Sequence, residues 1–597
     1  MKERNEIEEK YKWDLSSYGD DESFFDELKK LEPFIDGVKQ FKNKLGDGDQ
    51  LLKYFRYCDE FYEQFIKLNT YVSLREDQDQ SVAKYQEMSD ACQKLYTEFS
   101  VNSTYADVEI CKLPIAKLKA FAVDPKFSDY SVTIKEYIKS KSHMLSEKEE
   151  KLLAGMSMFI NDDSEIYSKF ANVDIKYQDA NDSAGESHEV NEAIYSVYMQ
   201  NSDRVLRKNA YHSLINAYKD CIHVLAANYA MHVKKNAFFA KQRKFKSVLE
   251  EALYSEDITE NVYNNLIKNV TEHLVLDQRY YKLKAKMLGI EDFSTYDTRV
   301  DVLKSEHKEM SLGDALASAR KILAPLGQEY LELFDTAIKD RWADFYPNKN
   351  KSTGAYSTSA YGANPVMLLN FNNDEEYIST IVHEFGHSAH SYYSNNYQPQ
   401  RKANYEIFVA EVPSTVNECL YYLDAINSAK TKEDKVRAYS KFFEIVHAVI
   451  FTQSKFSEFE KNVYDAEAKG ESLTSEKISD IYFSLNEKYW GDAAICPQIS
   501  RYEWSYVTHF YYDFYVYKYV TGFISAFLIA SKIYGGDNDI RQKYLHFLTR
   551  GCEAEPLELL KDVGIDLTKK STYDEVFNKI EEMLNDYEKI VNKKIRA

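Results

Sequence analysis

Glycine and proline are scarce in this chain, at 19 and 10 of 597 residues. Domains built from many short strands need turn residues every ~8–12 positions, so a string of β modules is excluded. No Pro/Gly/Ser-rich linker and no internal repeat interrupts the sequence. Long apolar runs are missing too. The longest, Tyr515–Ile533, carries Lys518, Thr521, Gly522 and Lys532, short of the roughly 20 predominantly apolar residues of a membrane helix. It is expected to be a buried helix, so no membrane partner is predicted. The charged opening, Met1-Lys2-Glu3-Arg4, lacks the apolar stretch of a signal peptide. The seven cysteines are odd in number and scattered, with no C-x-x-C pair, which speaks against a disulfide framework and for reduced thiols. A cytoplasmic location is predicted. Basic residues are outnumbered, for a net charge of −20, which argues against a phosphate-neutralising surface and hence against nucleic acid.

What is present is helical periodicity and tyrosine. Windows such as 203–240 and 257–288 read as amphipathic helix, and the chain is predicted to be mainly α. The 49 tyrosines are assigned mostly to packing, the remainder to surfaces where an apolar ring and one hydrogen bond are both of use. In chain order, residues 1–110 read as a helical lobe, with helices over 21–45 and 51–98. Residues 111–202 contain an expected β-hairpin, Val173–Tyr177 with a turn over Asn181–Gly185. From 203 to 597 the chain reads as one continuous unit. The short apolar segment Pro365–Phe371 is expected to be a strand with a free edge for an extended peptide, beside a flexible loop at Gly354–Tyr356 and Tyr361-Gly362.

The most informative stretch is His383-Glu384-Phe385-Gly386-His387. Two histidines four apart on a helix share a face and can bind one zinc ion. Glu384 lies about 100° further round, placed for general-base work without ligating the metal. A catalytic zinc site needs a third protein ligand and an open position. Glu411, in Ala410-Glu411-Val412-Pro413-Ser414, completes a His₂Glu set. Glu418, seven residues on, is placed to accept a hydrogen bond from a ligand imidazole. Gly386 allows another backbone to approach the histidine helix closely. His390 is expected to pack nearby without ligating, and the remaining histidines, His223, His232 and His447 among them, to be structural.

These segments resemble the M3 family of zinc metallopeptidases, in its oligoendopeptidase F branch. Trp13-Asp14-Leu15, Asp203–Tyr211, Ala240–Arg243, Tyr361–Pro365 and His509–Tyr511 followed by Phe514–Gly522 fit the same family, so the likeness spans nearly the whole chain. It implies a zincin-like fold, a helical shell around a deep channel with a small β-sheet. It also implies an oligopeptidase F-type region over 111–202 and an M3-type catalytic domain over 203–597. One Zn²⁺ per chain on His383, His387 and Glu411, and short oligopeptides as substrates, follow from it. So does a late segment that supplies a histidine and tyrosines to the reaction. His509 is the positional match; Tyr512 and Tyr515, three apart, rank next, ahead of Tyr517 and Tyr519.

Three other readings stay open at this point. A zinc carboxypeptidase would need a cation for the substrate C-terminus, for which Arg501 and Lys518 are candidates. A non-catalytic peptide-binding protein would have no use for Glu384. A structural zinc would need a fourth protein ligand, which no nearby Cys or His supplies. His₂Glu ligation by itself also admits manganese or cobalt.

Overall fold

The computed structural model describes residues 2–156, 162–303 and 309–595. It is mainly helical with two small sheets. Among the described residues no helix is long and apolar enough to cross a membrane, and the seven cysteines are free thiols. The chain forms two compact units, each assembled from three separate stretches of sequence.

The first unit comprises Met1–Met144, His307–Leu423 and Ser525–Ile565. Its N-terminal helices are Phe24–Gly37, Gly48–Gln78 and Ala83–Ser103. The expected helix over 51–98 is therefore two helices, broken at Asp79, whose carboxylate accepts from the backbone N–H and hydroxyl of Ser81. Such local hydrogen bonds compete with the helical ladder. Phe61, Phe99, Met88 and Leu31 are fully buried in its core, which extends to Trp13 and Leu15 near the N-terminus.

This unit also holds a three-stranded sheet: β3 (Ala343–Asp344), β4 (Tyr356–Thr358) and β5 (Val366–Leu368); β1 (Ala180–Asn181) and β2 (Ser187–His188), which precede them in the chain, lie in the second unit. The expected strand at 365–371 is present, but its edge is not free. β5 pairs in parallel with β3 on one side and antiparallel with β4 on the other. Gly354–Tyr356 likewise runs into β4, where the Tyr356 hydroxyl donates to Asp77 at 2.5 Å. At the end of β3, Asp344 is wholly buried against Lys351 at 2.7 Å and also pairs with Arg4. Lys351 Nζ donates further to the carbonyl of Leu369 at 2.6 Å, which fixes the exit of β5 toward the histidine helix.

The second unit comprises Leu145–Glu306, Asp424–Ile524 and Asp566–Ala597. Its hairpin joins β1 (Ala180–Asn181) and β2 (Ser187–His188). The expected first strand at Val173–Tyr177 is displaced: Phe170–Asp174 is a π-helical turn, and pairing begins at Ala180↔His188. The turn itself lies where expected. Asp182 accepts from the backbone N–H groups of Ala184 and Glu186, both at 2.9 Å, and contacts His188. These bonds account for the carboxylate–histidine cluster there. Asp203 caps the helix Arg204–Lys219, and Arg204 and Arg207 both grip the buried carboxylate of Asp297.

Removing one partner of a buried ion pair leaves the other uncompensated, at about 3–5 kcal/mol. Asp344→Ala is therefore expected to lower the urea midpoint for loss of far-UV dichroism, by an amount that corresponds through the m-value to about 3–5 kcal/mol. An unchanged midpoint would show that Lys351 finds equal compensation without it.

Candidate active site

The histidine helix runs from Tyr377 to Tyr397. Ile378, Ile381, Val382, Phe385 and Ala389 are buried along it, the i, i+3, i+4 spacing of a core-facing stripe. Phe385 packs edge-on against Tyr330 and Phe334. Ser388 meets Ser357 of β4, hydroxyl to hydroxyl, at 2.8 Å. With that face fixed, His383 and His387 project from its flank with side chains 26% and 18% exposed.

The helix Ile407–Ser428 contains Pro413 and supplies Glu411. It approaches the histidine helix at Gly386. A Cβ at Gly386 would lie 2.6 Å from Cα of Ser414 and 2.7 Å from the carbonyl oxygen of Pro413, so only glycine fits. Asn417 ties the same two helices together, its side-chain amide donating to the carbonyl of Val382 at 2.8 Å. Ser414 donates to Glu411 Oε2 at 3.0 Å. Asn417 and Ser414 escaped notice as supporting residues. Their signal was weak but real: Asn and Ser inside a Pro-containing helix are poor helix formers and need another reason to be there.

Three ligand atoms converge. Nε2 of His383 and Nε2 of His387 are 3.2 Å apart, and Oε2 of Glu411 lies 3.7 and 3.4 Å from them. Atoms held about 2.0–2.1 Å from one ion at tetrahedral angles are ~3.3 Å apart. The donor set thus fits a zinc ion without rearrangement. Glu418 Oε1 stands 3.5 Å from Nδ1 of His383, a buried nitrogen that makes no hydrogen bond of its own. His390 is buried, stacks on Tyr405 at 3.7 Å and lies away from the ligand set.

The electrostatics are those of a cation site. Burial disfavours charge on His383, but Glu418, Glu384 and Glu411 outweigh it and raise its pKa to about 9. Burial pushes Glu411 up, yet the two histidines and Ser414 more than reverse this and hold it at about 2. Glu384, 6% exposed, is shifted upward because burial exceeds the pull of His383 and His387.

Residues 197–579 match Peptidase family M3, and residues 109–177 match its oligopeptidase F N-terminal region. The chain belongs to peptidase family M3. It is accordingly a metalloendopeptidase of the oligoendopeptidase F type. Oligopeptidase PepF of Bacillus subtilis is 34% identical over 99% of this chain and 89% of its own length. A crystal structure from Chlamydophila abortus superposes with a TM-score of 0.93 at 29% identity, covering 99% of this chain and 100% of that one. Oligoendopeptidase F from Enterococcus faecium has a TM-score of 0.74 at 26% identity, over 96% and 99%.

The remaining expected site residues lie in the second unit. His509 sits in the 3₁₀ turn Thr508–Tyr511, and the late helix starts only at Tyr517. Tyr512 and Tyr515 are thus not neighbours on a helical face. They meet through a non-helical turn, with ring centroids 6.4 Å apart. His509 contacts Tyr512 and Tyr519 edge-on, and burial lowers its pKa. It also lines a cavity of about 500 Å³ with Tyr195, Tyr211, Tyr281, Tyr482 and Tyr506.

Gly386→Ala is expected to force the two helices apart. The enzyme should lose about 10- to 100-fold in divalent-metal affinity, as when other ligand-supporting residues are altered, and about 1–3 kcal/mol of stability through overpacking. Competition against a chromophoric chelator measures the first quantity. Wild-type affinity in the variant would refute the close-contact argument.

Proposed function

We propose that the enzyme hydrolyses internal bonds of short oligopeptides with one zinc ion held by His383, His387 and Glu411. The observation that carries this reading is the convergence of three ligand atoms at 3.2–3.7 Å, with Glu384 between the two histidines in sequence. Bound there, zinc supplies Lewis acidity toward the scissile carbonyl and lowers the pKa of a coordinated water. Glu384 takes a proton from the attacking water and delivers it to the leaving nitrogen. Glu418 orients the imidazole of His383. His509, Tyr512 and Tyr515 donate hydrogen bonds to the developing oxyanion, a contribution that preorganised donors make large. This last assignment rests on the family resemblance and on the aromatic cluster these residues form.

The substrate class follows from relatives named oligopeptidase and oligoendopeptidase. The tyrosine-lined cavity supports it, offering apolar contact and phenolic hydrogen bonds to a peptide. The carboxypeptidase alternative loses its two cations. Arg501 pairs with Asp480, and Lys518 pairs with Glu256 at 2.5 Å. A buried Glu384 beside the ligand set weighs against a non-catalytic binder. The free thiols are consistent with the proposed cytoplasmic setting.

A quenched fluorescent oligopeptide with apolar central residues, followed by mass spectrometry, tests the proposal. Internal cleavage that is abolished by a chelator and restored by zinc is expected. Glu384→Gln should lower kcat by at least about 100-fold. Trimming from the C-terminus would favour the carboxypeptidase, and binding without cleavage by zinc-loaded enzyme would favour the non-catalytic reading.

A further inference from the structure

Within the second unit, two consecutive residues just past His509 adopt left-handed backbone: Asp513 with φ 39° and Phe514 with φ 55°. Neither is glycine. Left-handed backbone is strained for residues other than glycine and persists only where the surroundings over-determine it, typically at functional sites.

Here the surroundings do so. Asp513 Oδ1 accepts from Nε2 of His232 at 2.9 Å, Nδ2 of Asn236 at 2.5 Å and the hydroxyl of Tyr464 at 3.1 Å. The N–H of Phe514 donates at 3.0 Å to Glu460, which is wholly buried. Two residues earlier, the Tyr511 hydroxyl accepts from Asn228 at 3.0 Å, and its ring packs edge-on against His232 at 5.1 Å. The other nitrogen of His232, Nδ1, lies 2.6 Å from Asp163, a carboxylate that also takes Lys235 at 2.7 Å. His232 is 3% exposed and has a carboxylate at each ring nitrogen. Each carboxylate favours the charged form of the ring, and the side-chain amide of Asn236 also lies 3.1 Å from Nε2. Burial works against that charge, and Asp163 and Asp513 outweigh it.

The segment therefore has two sides. Phe510, Tyr511, Asp513 and Phe514 point into this anchorage. His509, Tyr512 and Tyr515 instead meet one another as an aromatic group, with Tyr512 59% exposed.

We propose that His232 is a positioning residue of the enzyme. Clamped between Asp163 and Asp513, it holds the Asp513–Phe514 turn and so sets the direction in which His509, Tyr512 and Tyr515 are presented to the substrate. The inference rests on the proposed role of those three residues. A merely structural pin would affect stability alone. A positioning residue also changes turnover, and only while the groups it aims are present.

The experiment is a double-mutant cycle on the zinc-loaded full chain, pairing His232→Gln with His509→Ala. His232→Gln alone should lower kcat by about 10- to 100-fold, the effect of a ~1 Å misplacement, with KM changed less than about 2-fold and metal content unchanged. In the His509→Ala background the same change should cost under about 2-fold, because coupled residues are non-additive. Unchanged kcat in His232→Gln, or equal losses in both backgrounds, would overturn the inference. If His232→Gln does not fold, Tyr464→Phe removes one hydroxyl from Asp513 without opening a cavity and enters the same cycle under the same criteria. Wild-type turnover by His509→Ala, while Glu384→Gln is inactive, would overturn the inference and leave the metallopeptidase reading intact. Absence of any metal-dependent cleavage by the wild-type chain would defeat both.

Discussion

The backbone contact between Gly386 and Pro413–Ser414 is the constraint on which the metal site depends. Two helices come within van der Waals distance at their main chains, and that crossing carries Glu411 onto the flank where His383 and His387 stand. Both residue types at the crossing are poor helix formers: glycine costs roughly 1 kcal/mol relative to alanine, and an interior proline about 3 kcal/mol. Asn417 and Ser414 add side-chain hydrogen bonds at the same place. Local stability is given up here for a ligand geometry that a well-formed pair of ordinary helices, held apart by their side chains, would not reach.

Around that crossing three carboxylates meet two imidazoles, and environment divides their labour. Glu411 lies against both histidines and is held toward the ionised form, as the ligand role proposed for it requires. Glu384 is buried and is shifted toward the neutral form, as suits the proton-transfer role proposed for it. Glu418 faces the outer nitrogen of His383. The negative potential of the three together raises the proton affinity of His383, and a divalent cation answers the same potential.

In the second unit the tyrosines do two kinds of work. Tyr229, Tyr263 and Tyr280 are buried almost completely and fill the core. Tyr512 and Tyr515 belong to a short turn whose inward residues are tethered by charged and polar groups. The strained φ angles at Asp513 and Phe514 and the buried His232 between its two carboxylates belong to one arrangement. Strain in the turn is tolerated because four side chains from two helices hold it.

Much of this was legible from local pattern. The helical character followed from periodicity and the scarcity of glycine and proline. The hairpin turn was readable because Asp182 makes its bonds within four residues; its strands, only two residues long, were too short to leave a signal. The His-x-x-x-His spacing set a shared face by helix geometry alone, and Gly386 announced a close neighbour without naming it. Other features turned on partners far away in the chain. β5 is a central strand because β3, more than twenty residues earlier, pairs with it. Arg501 and Lys518 are neutralised by Asp480 and Glu256. His232 showed no pattern at all, since Asp163 and Asp513 lie 69 and 281 residues away. Sequence by itself thus determined the mainly helical class, the family and the shared face of His383 and His387, the last because it depends on spacing along one helix. Tertiary structure alone decided which carboxylates meet which cations and which edges are covered, because long-range packing brings together groups that no local rule relates.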